Sequence, residues 1–85
     1  MSTNYKKAEL QELYRNAGQA NFELGQFQEA FQHFERAYKE DSNALNTFNR
    51  GLSLMKLGLY EDAEKDFIAA HKAYSVKDDN AAKEN

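Results

Sequence analysis

With 85 residues the chain has room for one domain and one core, and folding at this size removes only about 60–65% of the unfolded surface from water, so modest stability is expected. Its 14 acidic and 11 basic residues are mixed along the chain and leave a net charge of −3 without a concentrated basic face, which argues against nucleic acid as a partner. The lack of cysteine excludes disulfides, thiolate metal sites and a cysteine nucleophile, and makes an intracellular, cytoplasmic setting the simplest expectation.

Proline is absent and glycine occurs at Gly18, Gly25, Gly51 and Gly58, a pattern of helices joined by short turns. The polar start, Met1 to Leu10, has no apolar run for a signal peptide, and a first helix is expected from a cap near Ser2 to Asn4 to about Leu24. Leu10, Leu13, Tyr14, Ala17 and Leu24 fall at three- and four-residue spacings on one of its faces. Gly25 then suits the left-handed residue that ends a helix. A second helix, about Gln28 to Glu40, carries Ala30, Phe31, Phe34, Ala37 and Tyr38 inward, and Asp41-Ser42-Asn43 is a run of cap-and-turn residues. The third, about Ala44 to Leu57, has more apolar positions than one stripe needs: Leu45, Phe48, Leu52, Leu54, Met55 and Leu57. Part of it is therefore expected to face something beyond its own hairpin. After Gly58 the fourth helix, about Glu61 to Tyr74, is expected to bury Ala63, Phe67, Ala70 and His71. No apolar run reaches membrane-spanning length. Residues 77–85 hold no large apolar side chain and are expected to fray.

Asn16 to Lys39 and Asn49 to Lys72 superimpose at an offset of 33 residues: Asn16 on Asn49, Gly18 on Gly51, Leu24-Gly25 on Leu57-Gly58, Ala30 on Ala63, Phe34 on Phe67 and Ala37 on Ala70. The chain therefore holds two copies of one unit, about 11–43 and 44–76, within a single domain over 1–76. Neither unit can bury its apolar face alone, so the two must stack. The small alanines sit where helices cross closely, with Phe34 and Phe67 filling the space between.

Each copy resembles a tetratricopeptide repeat, a helix-turn-helix module of roughly 34 residues with a G…Y…LG.Y..A…F..A signature. Tyr14, Gly18, Leu24, Gly25, Phe27, Ala30, Phe34 and Ala37 supply it in the first copy, and Gly51, Leu57, Gly58, Tyr60, Ala63, Phe67 and Ala70 in the second. Ser42 stands where the family often has proline, and Thr47 or Phe48 replaces the large aromatic, departures expected to alter the angle between units. The resemblance implies an all-α solenoid of four antiparallel helices with right-handed superhelical stacking, non-catalytic and without a cofactor. It also implies a concave groove, lined by the first helix of each unit, that holds a peptide or helix of a protein partner. The positions so implied are Glu12, Arg15, Gln19, Phe22 and Glu23 in the first unit, with Leu45, Phe48, Asn49, Leu52, Met55 and Lys56 in the second.

A subset of this family, co-chaperones that grip the C-terminal carboxylate of heat-shock chaperones, implies a sharper assignment. Arg15, Gln19 and Asn49 match the first positions of that clamp, and each can donate to a carboxylate. The rest of the clamp lies on a third repeat with no counterpart here. For Phe22, Phe48, Leu52 and Met55 two readings stand: ordinary core, or an exposed patch for an apolar ligand. His33 and Glu29 are four residues apart but make no metal site by themselves, His71 stands where the first unit has Tyr38, and no phosphate loop or nucleophile motif occurs, so enzymatic activity is not expected. Finally, Leu54, Leu59 and Ile68 at the open end of the second unit raise the alternative of a scaffold that forms a homodimer through that face.

Overall fold

The computed structural model describes the backbone of residues 6–84 and the side chains of residues 6–75. Four helices follow one another: α1 (Lys7–Glu23), α2 (Phe27–Glu40), α3 (Ala44–Lys56) and α4 (Tyr60–Glu84), with no strand among the described residues. The cap expected at Ser2 to Asn4 lies outside those residues. Instead, α1 opens at Lys6, whose backbone N–H donates to the Glu9 carboxylate (3.2 Å). α4 runs past Tyr74 to Glu84, a correction to its expected end, because nothing after Gly58 is a glycine or proline that would stop it.

Both hairpin turns use the same device. Gly25 (φ 77°) and Gly58 (φ 82°) take the left-handed conformation, which costs a residue without Cβ nothing. At the first, Gly25 N–H donates to the Phe22 carbonyl (3.0 Å) and Gln26 N–H to that of Asn21 (2.8 Å). At the second, Gly58 donates to Met55 (3.0 Å) and Leu59 to Leu54 (2.9 Å). Each is a Schellman closure that satisfies the last carbonyls of a helix. Asn43 caps α3 through its side chain, which accepts from the Asn46 backbone N–H (2.8 Å).

α1 packs on α2, α3 on α4, and α2 on α3, with a lighter touch of α1 on α3. α1 and α4 are not in contact among the described residues, so the array is an open stack and not a closed bundle. Ala30, Phe34 and Ala37 of α2, Leu54 of α3, and Ala63 and Ala70 of α4 form the buried apolar core. Gly18 is the point where α1 meets Phe34. A Cβ built there would lie 2.5 Å from Phe34 Cδ1, on a ring with no room to retreat. Gly18→Ala is therefore expected to destabilise by about 1 kcal/mol, a few kcal/mol of overpacking less the gain in helix propensity, as measured by urea unfolding.

Three expected burials need correction. His71 is exposed although its counterpart Tyr38 is half-buried, because Tyr38 is covered by the following unit and His71 is not. Leu13 and Leu24 are exposed, Leu13 on the outer side of α1 and Leu24 as the residue just past the helix end. Of the three residues expected at the open end, Leu54 is buried and lines the same space as Phe31 of α2, whereas Leu59 and Ile68 are exposed.

Candidate partner-binding face

Leu45, Phe48, Leu52 and Met55 recur at three- and four-residue intervals and so share one side of α3. Leu45 is exposed, Phe48 is 40% and Met55 36% exposed, and Leu52 is half-buried. Between core and exposed patch, the structure thus gives Leu45, Phe48 and Met55 to the patch. Phe48 rests against Phe67 of α4, ring centroids 5.5 Å apart, which fixes its orientation while leaving a face in solvent. Phe22, its neighbour stripe's one aromatic, is half-buried edge-on to Phe27 at 5.1 Å. Lys56 is exposed, with its ammonium 5.8 Å from the Phe27 ring.

The other α1 positions are polar, and three of them are already engaged in hydrogen bonds. Gln19 Nε2 donates to Glu23 Oε1 (3.2 Å), both exposed, and Glu12 is exposed. Arg15 is half-buried, and its Nη1 donates to Gln11 Oε1 (3.0 Å) and to Asn46 Oδ1 (3.3 Å). Asn49 is only 8% exposed. Of the three clamp positions, Gln19 is open, Arg15 is tied to α3, and Asn49 is largely covered.

Two side chains between the units carry more structure than their place in the sequence suggests. Asn46 is fully buried at the start of α3, and its Nδ2 donates to Gln11 Oε1 (2.6 Å), the Asp41 carbonyl (2.9 Å) and the Ala37 carbonyl (3.3 Å). It thereby joins α1, the end of α2, and α3. Arg50 spans α2 to α4: Nη1 donates to Glu35 (2.8 Å), Nε and Nη2 donate to the two oxygens of Asp66 (2.8 Å each), and the guanidinium lies 3.6 Å from the Tyr38 ring centroid. Its pKa is pushed above the ordinary arginine value, chiefly by the hydrogen bonds to Asp66, against burial, which pulls the other way. A basic group whose folded pKa is raised contributes stability that is fully present below its unfolded pKa. The Arg50 contribution is therefore constant through neutral and mildly alkaline pH. A sign of both residues was present in the repeat register, where Asn46 stands opposite Leu13 and Arg50 opposite Ala17.

His33 Nδ1 bonds Asn21 Oδ1 (2.6 Å), and that ring therefore pins α2 to α1. Among the described residues no group of three or more His, Asp or Glu side chains is gathered where it could hold a metal ion, and no helix is long and apolar enough to cross a membrane. An open apolar recess of about 450 Å³ lies at the free side of α3 and α4, lined by Met55, Tyr60, Phe67, Ile68 and His71 among others.

A tetratricopeptide repeat family profile matches residues 11–44. No curated protein and no solved structure matched the chain. That match starts inside α1 and ends where α3 begins, enclosing one hairpin and its closing turn. Residues 11–44 thus form a tetratricopeptide repeat, and the four-helix chain fits an all-α helical repeat of that type, a class of protein–protein interaction module.

Proposed function

We propose that the chain binds a peptide or helix of a partner protein along the first helices of its two units, without chemistry or cofactor. The observation that carries this reading is the partly exposed apolar stripe Leu45, Phe48, Leu52 and Met55, held on a backbone braced from both sides by Asn46 and Arg50. Exposed apolar side chains gathered on one element mark a binding surface, and methionine adapts its shape to what it meets. The α1 positions other than Phe22 are polar and include the exposed acids Glu12 and Glu23. The ligand this pairing suits is an amphipathic segment with apolar residues toward α3 and polar or basic residues toward α1. Selection from a displayed random-peptide library should enrich such segments, and Phe48→Glu should weaken them at least tenfold. Equal binding of the enriched peptides to Phe48→Glu would overturn the reading.

Arg15 at a clamp position supports a second ligand, a free C-terminal carboxylate. To take it, the guanidinium must give up its bonds to Gln11 and Asn46, so any such binding is expected to be weak. An acidic peptide with a free terminus and its amidated form, titrated in parallel, distinguish the two: a carboxylate site responds to the first alone.

A further inference from the structure

The α2–α3 junction inside the chain supplies a template for a junction between chains. Three pairs of positions meet across it: Glu35 with Arg50 through an ion pair (2.8 Å), the Asp41 backbone carbonyl with the Asn46 side chain (2.9 Å), and Phe31 with Leu54, which line one cavity. Moved by the 33-residue repeat, the α2 members become Ile68, Tyr74 and Glu64 on α4, and the α3 members become Ala17, Leu13 and Asn21 on α1. α1 and α4 are the two ends of the stack, and of these side chains only Asn21 is turned inward, bonded to His33 and Gln26 of its own hairpin. The chemistry changes in step on both. The ion pair becomes isoleucine with alanine, the positions of the side-chain-to-backbone bond become tyrosine and leucine, and the apolar pair becomes glutamate with asparagine. Ile68 (49% exposed), Tyr74 (47%) and Leu13 (48%) lie open at these ends, where a terminal repeat ordinarily presents a polar face.

We propose that a second copy of this chain docks head to tail, the α1 outer face of one molecule on the α4 outer face of the next, in the geometry of the internal junction. The argument for this occupant is that apolar side chains stand at matching positions of both ends, Ile68 with Ala17 and Tyr74 with Leu13, where the internal junction carries an ion pair and a hydrogen bond. The contact is heterologous and joins two different faces, so each addition leaves one free end of each type and the assembly grows instead of closing as a dimer. Ile68 lines the same recess as Met55, so the joint borders the α3 stripe, and the cross-linking geometry is the readout that separates it from peptide binding.

Sedimentation over a concentration series should show species growing beyond two chains. Ile68→Glu, a surface change outside the core, should weaken association at least tenfold with an unchanged helical circular dichroism signal. Adding Ala17→Arg to the same chain recreates the internal Glu35–Arg50 pair across the joint and should restore most of the loss. Placing cysteines singly at Ala17 and Ile68 in this cysteine-free chain gives a geometric test with a short bis-maleimide: the mixed variants should cross-link, and each alone should yield several-fold less. A single-chain mass at millimolar protein overturns the proposal, as does Ile68→Cys cross-linking to itself as well as to Ala17→Cys.

Discussion

Replacing Asn46 with alanine is expected to lower the unfolding free energy by about 3 kcal/mol, roughly 12–24 °C in Tm for a domain of this size. The side chain is wholly buried and makes four polar contacts, with Gln11 and Arg15 on α1 and with the Ala37 and Asp41 carbonyls at the end of α2. The Ala37 carbonyl keeps a partner in the Asp41 N–H, but Gln11 and the Asp41 carbonyl lose their shortest bonds. A cavity adds to that loss, because the site sits where three helices meet. The Asn46 backbone N–H, by contrast, keeps its bond to the Asn43 cap, so the effect is attributable to the amide and not to the start of α3. Thermal and urea unfolding of this variant beside Asn43→Ala would separate the two contributions: loss of the cap alone is expected to cost about 1 kcal/mol.

Arg50→Met is expected to cost about 2–3 kcal/mol. Asp66 keeps only 9% of its side chain in solvent, so removing its bidentate partner leaves a carboxylate poorly hydrated and unpaired. The figure lies below that of a fully enclosed pair because Glu35 retains 30% exposure and recovers hydration. Methionine keeps part of the contact with Tyr38, which confines the loss to charge and hydrogen bonds. Adding Asp66→Asn should recover roughly 1 kcal/mol in a double-mutant cycle, since a neutral amide tolerates the site better than an orphaned charge. An Arg50→Met protein with unchanged urea midpoint would show that the units stack without this bridge.

The order of the helices was legible from glycine and alanine. Gly25 and Gly58 announce their turns because only a residue without Cβ enters the left-handed region freely, and the repeated Ala-x-x-x-Phe-x-x-Ala marks the close helix crossing. Burial at the ends was not legible. Periodicity places His71 on the inner face by analogy with Tyr38, yet burial of that face depends on a following unit, and the sequence pattern of one unit carries no information about its neighbour. Leu54 shows the same effect in reverse, buried where it lines one space with Phe31 of the preceding unit. The polar bridges escaped a search for apolar stripes because Asn46 and Arg50 look like surface residues until α2 and α4 are laid beside them. For the binding face, apolar spacing picked out the α3 stripe, but the engagement of Arg15 with Gln11 and Asn46 is a tertiary fact.

The central claim is that partner recognition lies on the exposed apolar stripe of α3. It is tested most directly by a 15N-labelled titration with a peptide selected on the wild-type chain, followed residue by residue. The account predicts that the largest shifts fall on Leu45, Phe48, Leu52 and Met55, with smaller ones at Glu12 and Glu23. Shifts concentrated on α2 and α4 instead, with the α3 stripe unmoved at saturation, would contradict it.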